Sequence, residues 1–261
     1  MMDFTTADNL QIHFRSVGDP GNPALILIHG IGADHKMWLP QTKSLPAAGF
    51  HVLIPDLRGH GKSQVPPDFR IRDCTRDILA LLERLDISRA NLAGVSMGGM
   101  VVQQFAVDYP DRVLSLVIAD SLSGVRTAQE SFNAGLAALL LKIFPPGFQA
   151  RLIRSTYKRM GHKEVGEYLA KRLLVMDPAW LLKARLEVNR FDVFNELPKI
   201  TAPTLVLVGD GFGKLAVNMA RATADSIPKA HFQILSGGGD PSNLLVPEAF
   251  DNALVDFLRV R

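Results

Sequence analysis

The pentapeptide around Ser96 is the feature of the chain that most directly indicates chemistry. It reads Gly94-Val95-Ser96-Met97-Gly98, with an apolar run before it and a helical pattern after it. A serine on a sharp turn between a strand and a helix presents its hydroxyl as a nucleophile, and small neighbours avoid clashes within the turn. The helix that follows directs N–H groups and its positive dipole end at developing negative charge. The pattern therefore predicts Ser96 as a nucleophile.

A second glycine-rich segment, His29-Gly30-Ile31-Gly32, follows an earlier apolar run. Its glycines let backbone N–H groups approach a substrate oxygen, so the N–H groups of Ile31 and Met97 are predicted to form an oxyanion hole. His29 is expected to organise this loop through hydrogen bonds rather than to act as a base.

A third polar turn runs from Asp56 to Ser63 and contains Gly59-His60-Gly61-Lys62-Ser63. It lacks the first glycine of the phosphate-binding pattern G-x-x-x-x-G-K-[ST], so nucleotide binding is not favoured. We interpret it as a structural turn held by Asp56, Arg58 and His60.

Positioning these loops requires a scaffold of strands and helices. Apolar runs that end in clusters of Gly, Asp or Ser are typical of buried parallel strands. Five such runs are Ala24–Ile28, Val52–Ile54, Leu92–Val95, Leu114–Ile118 and Leu205–Val208. Helical patterns alternate with them, which predicts an α/β fold with a mostly parallel, doubly wound sheet. The chain is expected to close with a helix from Lys214 to Ile227, a strand from His231 to Leu235 and a helix from Pro247 to Val260.

The alternation stops between residues 121 and 197, where several helical patterns replace the strands. This interval is predicted to be a helical cap, or lid, inserted into a core domain formed by residues 1–120 and 198–261. Apolar residues of the cap that recur at helical spacing, such as Phe132, Leu136 and Leu139, are expected mostly to pack onto the core domain. Some of them are expected to line a pocket.

Composition limits the function classes. The chain has 261 residues with 47% apolar content, enough for one sizeable core, and a formal charge of only +3 without a basic stripe, which argues against nucleic-acid binding. Its one cysteine, Cys74, allows no internal disulfide. No signal-peptide pattern lies in Met1–Arg15 and no run is long enough to span a membrane, so a cytoplasmic protein without stable membrane association is expected. No metal-binding or cofactor motif occurs, so none is expected to be required.

Together these segments resemble the α/β-hydrolase superfamily, in particular its esterases and lactonases with a helical cap. The resemblance covers essentially the whole chain, and it includes the later segment from Pro203 to Asp210. It implies that Ser96 is the nucleophile, that Ile31 and Met97 supply the oxyanion-hole amides, and that the ancestor hydrolysed carboxylic esters.

Two positions depart from the family pattern. The triad acid of the family falls three residues after the glycine that ends the penultimate strand, which is Phe212 here. The catalytic histidine falls seven residues before the proline of the last helix, which is Asp240 here. An exposed carboxylate with a pKa of about 4 is a weak base toward an alcohol. Efficient triad hydrolysis is therefore predicted to be absent, and no other histidine has a motif that places it near Ser96.

Three functions fit these departures. The chain can be a natural or engineered descendant with weak hydrolysis of small esters or lactones, since a nucleophile site without its full triad can still accelerate hydrolysis by roughly 10³ to 10⁴. It can instead use Asp240 as a general base for proton abstraction, as a lyase or isomerase, if an apolar pocket beside Phe212 raises its pKa. It can also bind ligands without catalysis. A small, uncharged or apolar acyl or aromatic substrate is expected from the apolar cap.

Overall fold

The computed structural model describes residues 2–259, and its centre is an eight-stranded sheet. The order of strands across the sheet is β1-β2-β4-β3-β5-β6-β7-β8, with β1 and β2 antiparallel and the pairs from β4 to β8 parallel. The strands are β1 (Met2–Thr5), β2 (Gln11–Val17), β3 (Ala24–Ile28), β4 (His51–Pro55), β5 (Ala90–Val95), β6 (Val113–Ala119), β7 (Thr204–Gly209) and β8 (Ala230–Leu235). The predicted α/β fold is confirmed.

The five continuous apolar runs of the sequence lie in the central strands β3 to β7. These strands are apolar throughout because helices cover both faces of the sheet. Along β3, Ala24, Ile26 and Ile28 enter one buried cluster, whereas Leu25 and Leu27 enter the cluster on the opposite face. The alternation follows from the two-residue period of a strand. The short edge strand β1 carries no comparable signal and was not predicted.

The helices that flank the sheet or form the cap have the following bounds. They are α1 (Gln41–Ala47), α2 (Ile71–Arg84), α3 (Met97–Asp108), α4 (Ala128–Ile143), α5 (Pro146–Arg159), α6 (Lys163–Val175), α7 (Pro178–Arg190), α8 (Lys214–Asp225), α9 (Ser242–Leu245) and α10 (Pro247–Arg259). The helix predicted to reach Ile227 ends at Asp225, and the predicted end of the last helix at Val260 lies outside the described residues. None of the described helices is long and apolar enough to cross a membrane.

Four helices, α4 to α7, occupy the interval that the sequence assigns to the cap. Helix α4 packs beside α7, and α5 packs beside α6. The expectation that the large apolar residues of α4 pack onto the core domain is wrong, because they form an exposed stripe in which Phe132 is 69% and Ile143 60% exposed. The opposite side of α4 carries small residues such as Ala134 and Ala138, which allow a close approach to α7 that bulky side chains would prevent.

Candidate active site

Ser96 lies on a strained turn between β5 and α3. Its backbone has φ 58° and ψ −121°, a conformation that is uncommon for a residue with a side chain. A Cβ atom on Gly94 would lie 2.1 Å from the carbonyl oxygen of Gly98, and one on Gly98 would lie 2.2 Å from that of Ile28. Both glycines are therefore required by close backbone contacts, and these contacts hold the serine at the carboxyl end of the central strand.

The side chain next to the hydroxyl of Ser96 is the carboxylate of Asp240. Ser96 Oγ donates a hydrogen bond of 2.9 Å to Asp240 Oδ2, across 144 residues of sequence. Asp240 follows β8, and the cap holds its backbone because the hydroxyl of Tyr157 on α5 donates a 2.8 Å hydrogen bond to the Asp240 carbonyl. The residue predicted at the position of the family's histidine thus contacts the predicted nucleophile directly.

The pKa of Asp240 is raised to about 6. Removal of the carboxylate from bulk water is the largest cause, because it disfavours the charged form. The hydrogen bond from Ser96 and the positive charge of Arg185 act in the opposite direction and limit the rise. The resulting carboxylate is a stronger base than an exposed aspartate, whose ordinary pKa is about 3.9.

Asp120, directly after β6, is a site residue that the sequence reasoning missed. Its carboxylate accepts hydrogen bonds from the backbone N–H of Gly209 at 2.9 Å, and from the N–H and hydroxyl of Ser242 at 2.7 and 2.9 Å. Burial, and then the negative charge of Asp240, raise the pKa of Asp120 to about 7. Asp120 thereby joins the ends of β6 and β7 to the loop that carries Asp240. The sequence signal that could have identified Asp120 is its position, because it is an aspartate directly after a predicted strand.

The loop predicted to contribute to the oxyanion hole packs directly against the nucleophile. The N–H of Ala33 donates to the carbonyl of Gly30 at 3.2 Å, and Gly32 has φ 73°, which closes a tight turn around Ile31. A Cβ atom on Gly30 would lie 3.2 Å from the Cβ of Ser96. Met97 is the first residue of α3, where a backbone N–H has no acceptor within its own helix. The oxyanion-hole role of Ile31 and Met97 stays a prediction.

The histidine of this loop is buried and fully engaged. His29 Nδ1 lies 2.8 Å from the carbonyl oxygen of Gly30, and the N–H of Leu57 donates to His29 Nε2 at 3.0 Å. Burial lowers the pKa of His29, which favours the neutral ring. The interpretation of His29 as an organiser of the loop therefore agrees with its contacts.

The polar turn after β4 also has a structural arrangement. The carboxylate of Asp56 accepts hydrogen bonds from His35 N and Nδ1 at 2.6 and 2.9 Å, and Arg58 binds Asp77 at 2.6 Å. Within residues 2–259, His13, His35 and Asp56 form a buried group whose possible metal-ligand atoms lie within 4.8 Å of one another. None of these residues lines the cavity at Ser96.

A cavity of about 430 Å³ opens beside Ser96 and Asp240, between the sheet and the cap. Phe212, predicted at the position of the family's triad acid, lies in a short 3₁₀ turn over Asp210–Phe212, and it lines the cavity with 41% of its surface exposed. Arg185 of α7 contributes a charged group. Among the described residues no histidine lines this cavity. His231, at the start of β8, lines a separate hollow of about 570 Å³ that contains neither Ser96 nor Asp240.

A serine on a strained turn at the end of a central parallel strand is the arrangement found in hydrolases that use a serine nucleophile, and this fold contains it. The family model described as alpha/beta hydrolase fold matches residues 23–245 of the chain. The protein therefore belongs to the α/β-hydrolase family.

Known proteins resemble the chain over nearly its whole length. It is 26% identical to 3-oxoadipate enol-lactonase 1 of Acinetobacter baylyi, over 93% of this chain and 91% of that protein. A thermophilic esterase from Thermogutta terrifontis superposes with a TM-score of 0.85 at 29% identity, covering 99% of this chain and 97% of the other. The enol-lactonase from Burkholderia xenovorans LB400 superposes with a TM-score of 0.86 at 26% identity, covering 99% and 100%.

Proposed function

We propose that this protein hydrolyses small carboxylic esters or lactones through Ser96, with Asp240 as the base that activates it. The observation that carries the proposal is the 2.9 Å hydrogen bond from Ser96 Oγ to Asp240 Oδ2, at the wall of a cavity large enough for a small substrate. The esterase and the two lactonases that the chain resembles support the choice of substrate bond.

The basicity of Asp240 supports its role. A pKa of about 6 lies close to the ordinary value of about 6.5 for histidine, which is the residue that the family uses as its base. Above this pH the carboxylate is ionised and can accept the serine proton. The rate of hydrolysis is therefore expected to rise with pH through about 6 and then to level off.

The proposed reaction follows from these contacts. Ser96 Oγ attacks the carbonyl carbon of the substrate while its proton passes to Asp240 Oδ2, which gives a tetrahedral intermediate with a negatively charged oxygen. The C–O bond to the leaving alcohol then breaks, and Asp240 returns the proton to that oxygen. A water molecule releases the acyl group from Ser96 by the same two steps, with Asp240 again accepting and returning a proton.

The charge balance differs from that of a serine–histidine pair. A histidine base becomes a cation and attracts the oxyanion, whereas Asp240 becomes neutral, so the single negative charge moves from the carboxylate to the substrate oxygen. Burial that destabilises the Asp240 carboxylate favours this movement, provided that the N–H groups of Ile31 and Met97 stabilise the oxyanion. The missing cation makes the reaction slower than with a complete triad.

A second candidate function uses the same carboxylate without the serine as nucleophile. The raised pKa of Asp240 and the exposed face of Phe212 in the cavity favour abstraction of a proton from a carbon acid, as in a lyase or isomerase. The hydrogen bond that commits Oδ2 to Ser96 favours hydrolysis instead. The third function, ligand binding without turnover, would leave both reactions unobserved.

The deciding experiment measures kcat/KM against pH for 4-nitrophenyl acetate and for a benzisoxazole, whose ring opens after loss of a carbon-bound proton. Two results together would support the hydrolase. Ester turnover falls by at least about 100-fold in both Ser96→Ala and Asp240→Asn, and the wild-type pH profile has its inflection at about pH 6. Formation of a covalent acyl adduct in the wild type alone, detected by protein mass spectrometry, identifies the nucleophile. The exposed Ser155→Ala and Asp225→Asn variants are matched controls.

Other outcomes separate the alternatives. Benzisoxazole turnover that is lost in Asp240→Asn but kept in Ser96→Ala would favour the proton-abstracting enzyme. Ester turnover that survives in Ser96→Ala would contradict the proposed hydrolase. Saturable ligand binding with neither reaction would favour the binding protein.

A further inference from the structure

Arg185 of α7 places a guanidinium group in the wall of the cavity that contains Ser96 and Asp240. Its Nε atom is buried and has no hydrogen-bond partner among the residues that the structure describes. Within residues 2–259, Arg185 also forms no ion pair within 4.0 Å, whereas Arg58 binds Asp77 at 2.6 Å. A half-buried cation with a buried, unpaired Nε atom is costly, so the structure leaves a donor group that a ligand can satisfy.

The carboxylates that share this cavity are already engaged elsewhere. Asp240 Oδ2 accepts a hydrogen bond from Ser96 Oγ, and Asp120 accepts three hydrogen bonds from Gly209 and Ser242. Glu130 Oε2 accepts hydrogen bonds from the backbone N–H groups of Arg126 and Thr127, just before α4, at 2.7 and 3.1 Å. The attraction between Arg185 and Asp240 acts only at a distance beyond direct contact. Among the described charged groups that line the cavity, the Arg185 guanidinium is therefore the one left to bind an anion.

The chemistry of the group selects the kind of anion. A guanidinium presents N–H donors in a planar fork that matches the two oxygens of a carboxylate. A doubly charged group such as phosphate would meet stronger repulsion from Asp240, and no second cation lines the described part of the cavity. Apolar side chains, including Val188, Leu215 and Met219, line the space that remains.

We infer that the substrate is an ester or lactone that carries a free carboxylate on its acyl chain, bound by Arg185 while Ser96 attacks the carbonyl. This inference rests on the proposed function and names the substrate class of the same site. It changes the expectation of an uncharged substrate: the body of the substrate is apolar, but its end is negatively charged. Arg185 is then a specificity-determining residue.

The test compares two substrates that differ only in charge. These are mono-4-nitrophenyl glutarate, with a free carboxylate, and its methyl ester, both measured at pH 8, where Asp240 is ionised. The readout is the ratio of kcat/KM for the acid to that for the methyl ester. We expect this ratio to fall by about 10- to 100-fold in Arg185→Met, mainly through KM, because a hydrogen bond to a charged group is lost. Arg185→Lys should recover part of it.

A matched control is Arg190→Met, which removes an exposed arginine from the same helix and should leave the ratio unchanged. An unchanged ratio in Arg185→Met, including an equal loss for both substrates, would overturn the inference. A wild-type preference for the methyl ester would also overturn it.

Failure of the proposed hydrolysis can be told apart from failure of this inference. Binding of monomethyl glutarate and of dimethyl glutarate to Ser96→Ala is measured by calorimetry, with and without Arg185→Met. Preferential binding of the monoanion that depends on Arg185 would support the carboxylate site even without ester turnover. Equal binding of both compounds would count against it.

Discussion

The turn that carries Ser96 and the loops that follow β7 and β8 both contain close backbone contacts at glycines, but the loops depend in addition on side-chain hydrogen bonds. Around Ser96, backbone atoms approach so closely that Gly94 and Gly98 admit no side chain. In the loops with Phe212 and Asp240, a Cβ atom on Gly209 would lie 2.1 Å from the backbone of Gly238, and the Asp120 carboxylate also binds Gly209 and Ser242. The backbone at Ser96 is thus fixed by glycine contacts, whereas the side chains of Phe212 and Asp240 face the cavity, so we expect these two positions to change residue type while the fold persists.

The largest loss of stability is expected from Gly98→Ala, which alters the turn at Ser96. Its new Cβ would lie 2.2 Å from the carbonyl oxygen of Ile28, a backbone atom that cannot turn aside, so we expect a loss of about 3 kcal/mol in the free energy of unfolding. Urea titration measures it. The control Gly135→Ala lies in helix α4 with nothing within 4 Å of the new Cβ, and it should be neutral or stabilising by about 0.5–1 kcal/mol. Equal effects of the two variants would mean that close backbone contacts do not constrain the turn at Ser96.

The loop side should tolerate a larger chemical change. The double variant Phe212→Asp with Asp240→His restores the residues of the family pattern at both positions. We expect ester kcat/KM to rise by about 10- to 100-fold, because an imidazolium offsets the oxyanion and a second carboxylate orients the ring. The change in the free energy of unfolding should be smaller than for Gly98→Ala. Unchanged ester turnover in a folded double variant would show that these two positions were aligned wrongly with the family pattern.

The smallest expected effect concerns the pH dependence of stability. Asp120 has a native pKa of about 7 against about 3.9 in the unfolded chain, so between these values the native state holds the extra proton. The free energy of unfolding therefore falls as pH rises from about 4 to about 7, because the unfolded chain loses this proton at a lower pH than the native state does. Asp120→Asn should make that slope shallower, as measured by urea titration at several pH values. Asp225→Asn, an exposed control, should keep the wild-type slope; identical slopes in all three proteins would remove Asp120 as the cause.

Most of the fold was predictable because its signals are local. The apolar runs of β3 to β7 and the glycine spacing at Ser96 are properties of neighbouring residues, and the structure contains the predicted strands and turn. The edge strand β1 was missed because four residues with mixed polarity carry little signal. The apolar stripe on α4 was assigned to the wrong side, because helical periodicity does not say which face meets the core.

The sequence by itself determined the family, the order of strands and helices along the chain and the turn at Ser96. Each of these depends on residues that are close together in the chain. Only the tertiary structure decided that Asp240 reaches Ser96 across 144 residues, that Asp120 joins three chain segments, and that Arg185 faces the same cavity without a partner. These contacts join distant segments, and the basicity of Asp240 depends on the removal of water by all of them together. Such burial is a property of the assembled cavity and has no counterpart in a local pattern.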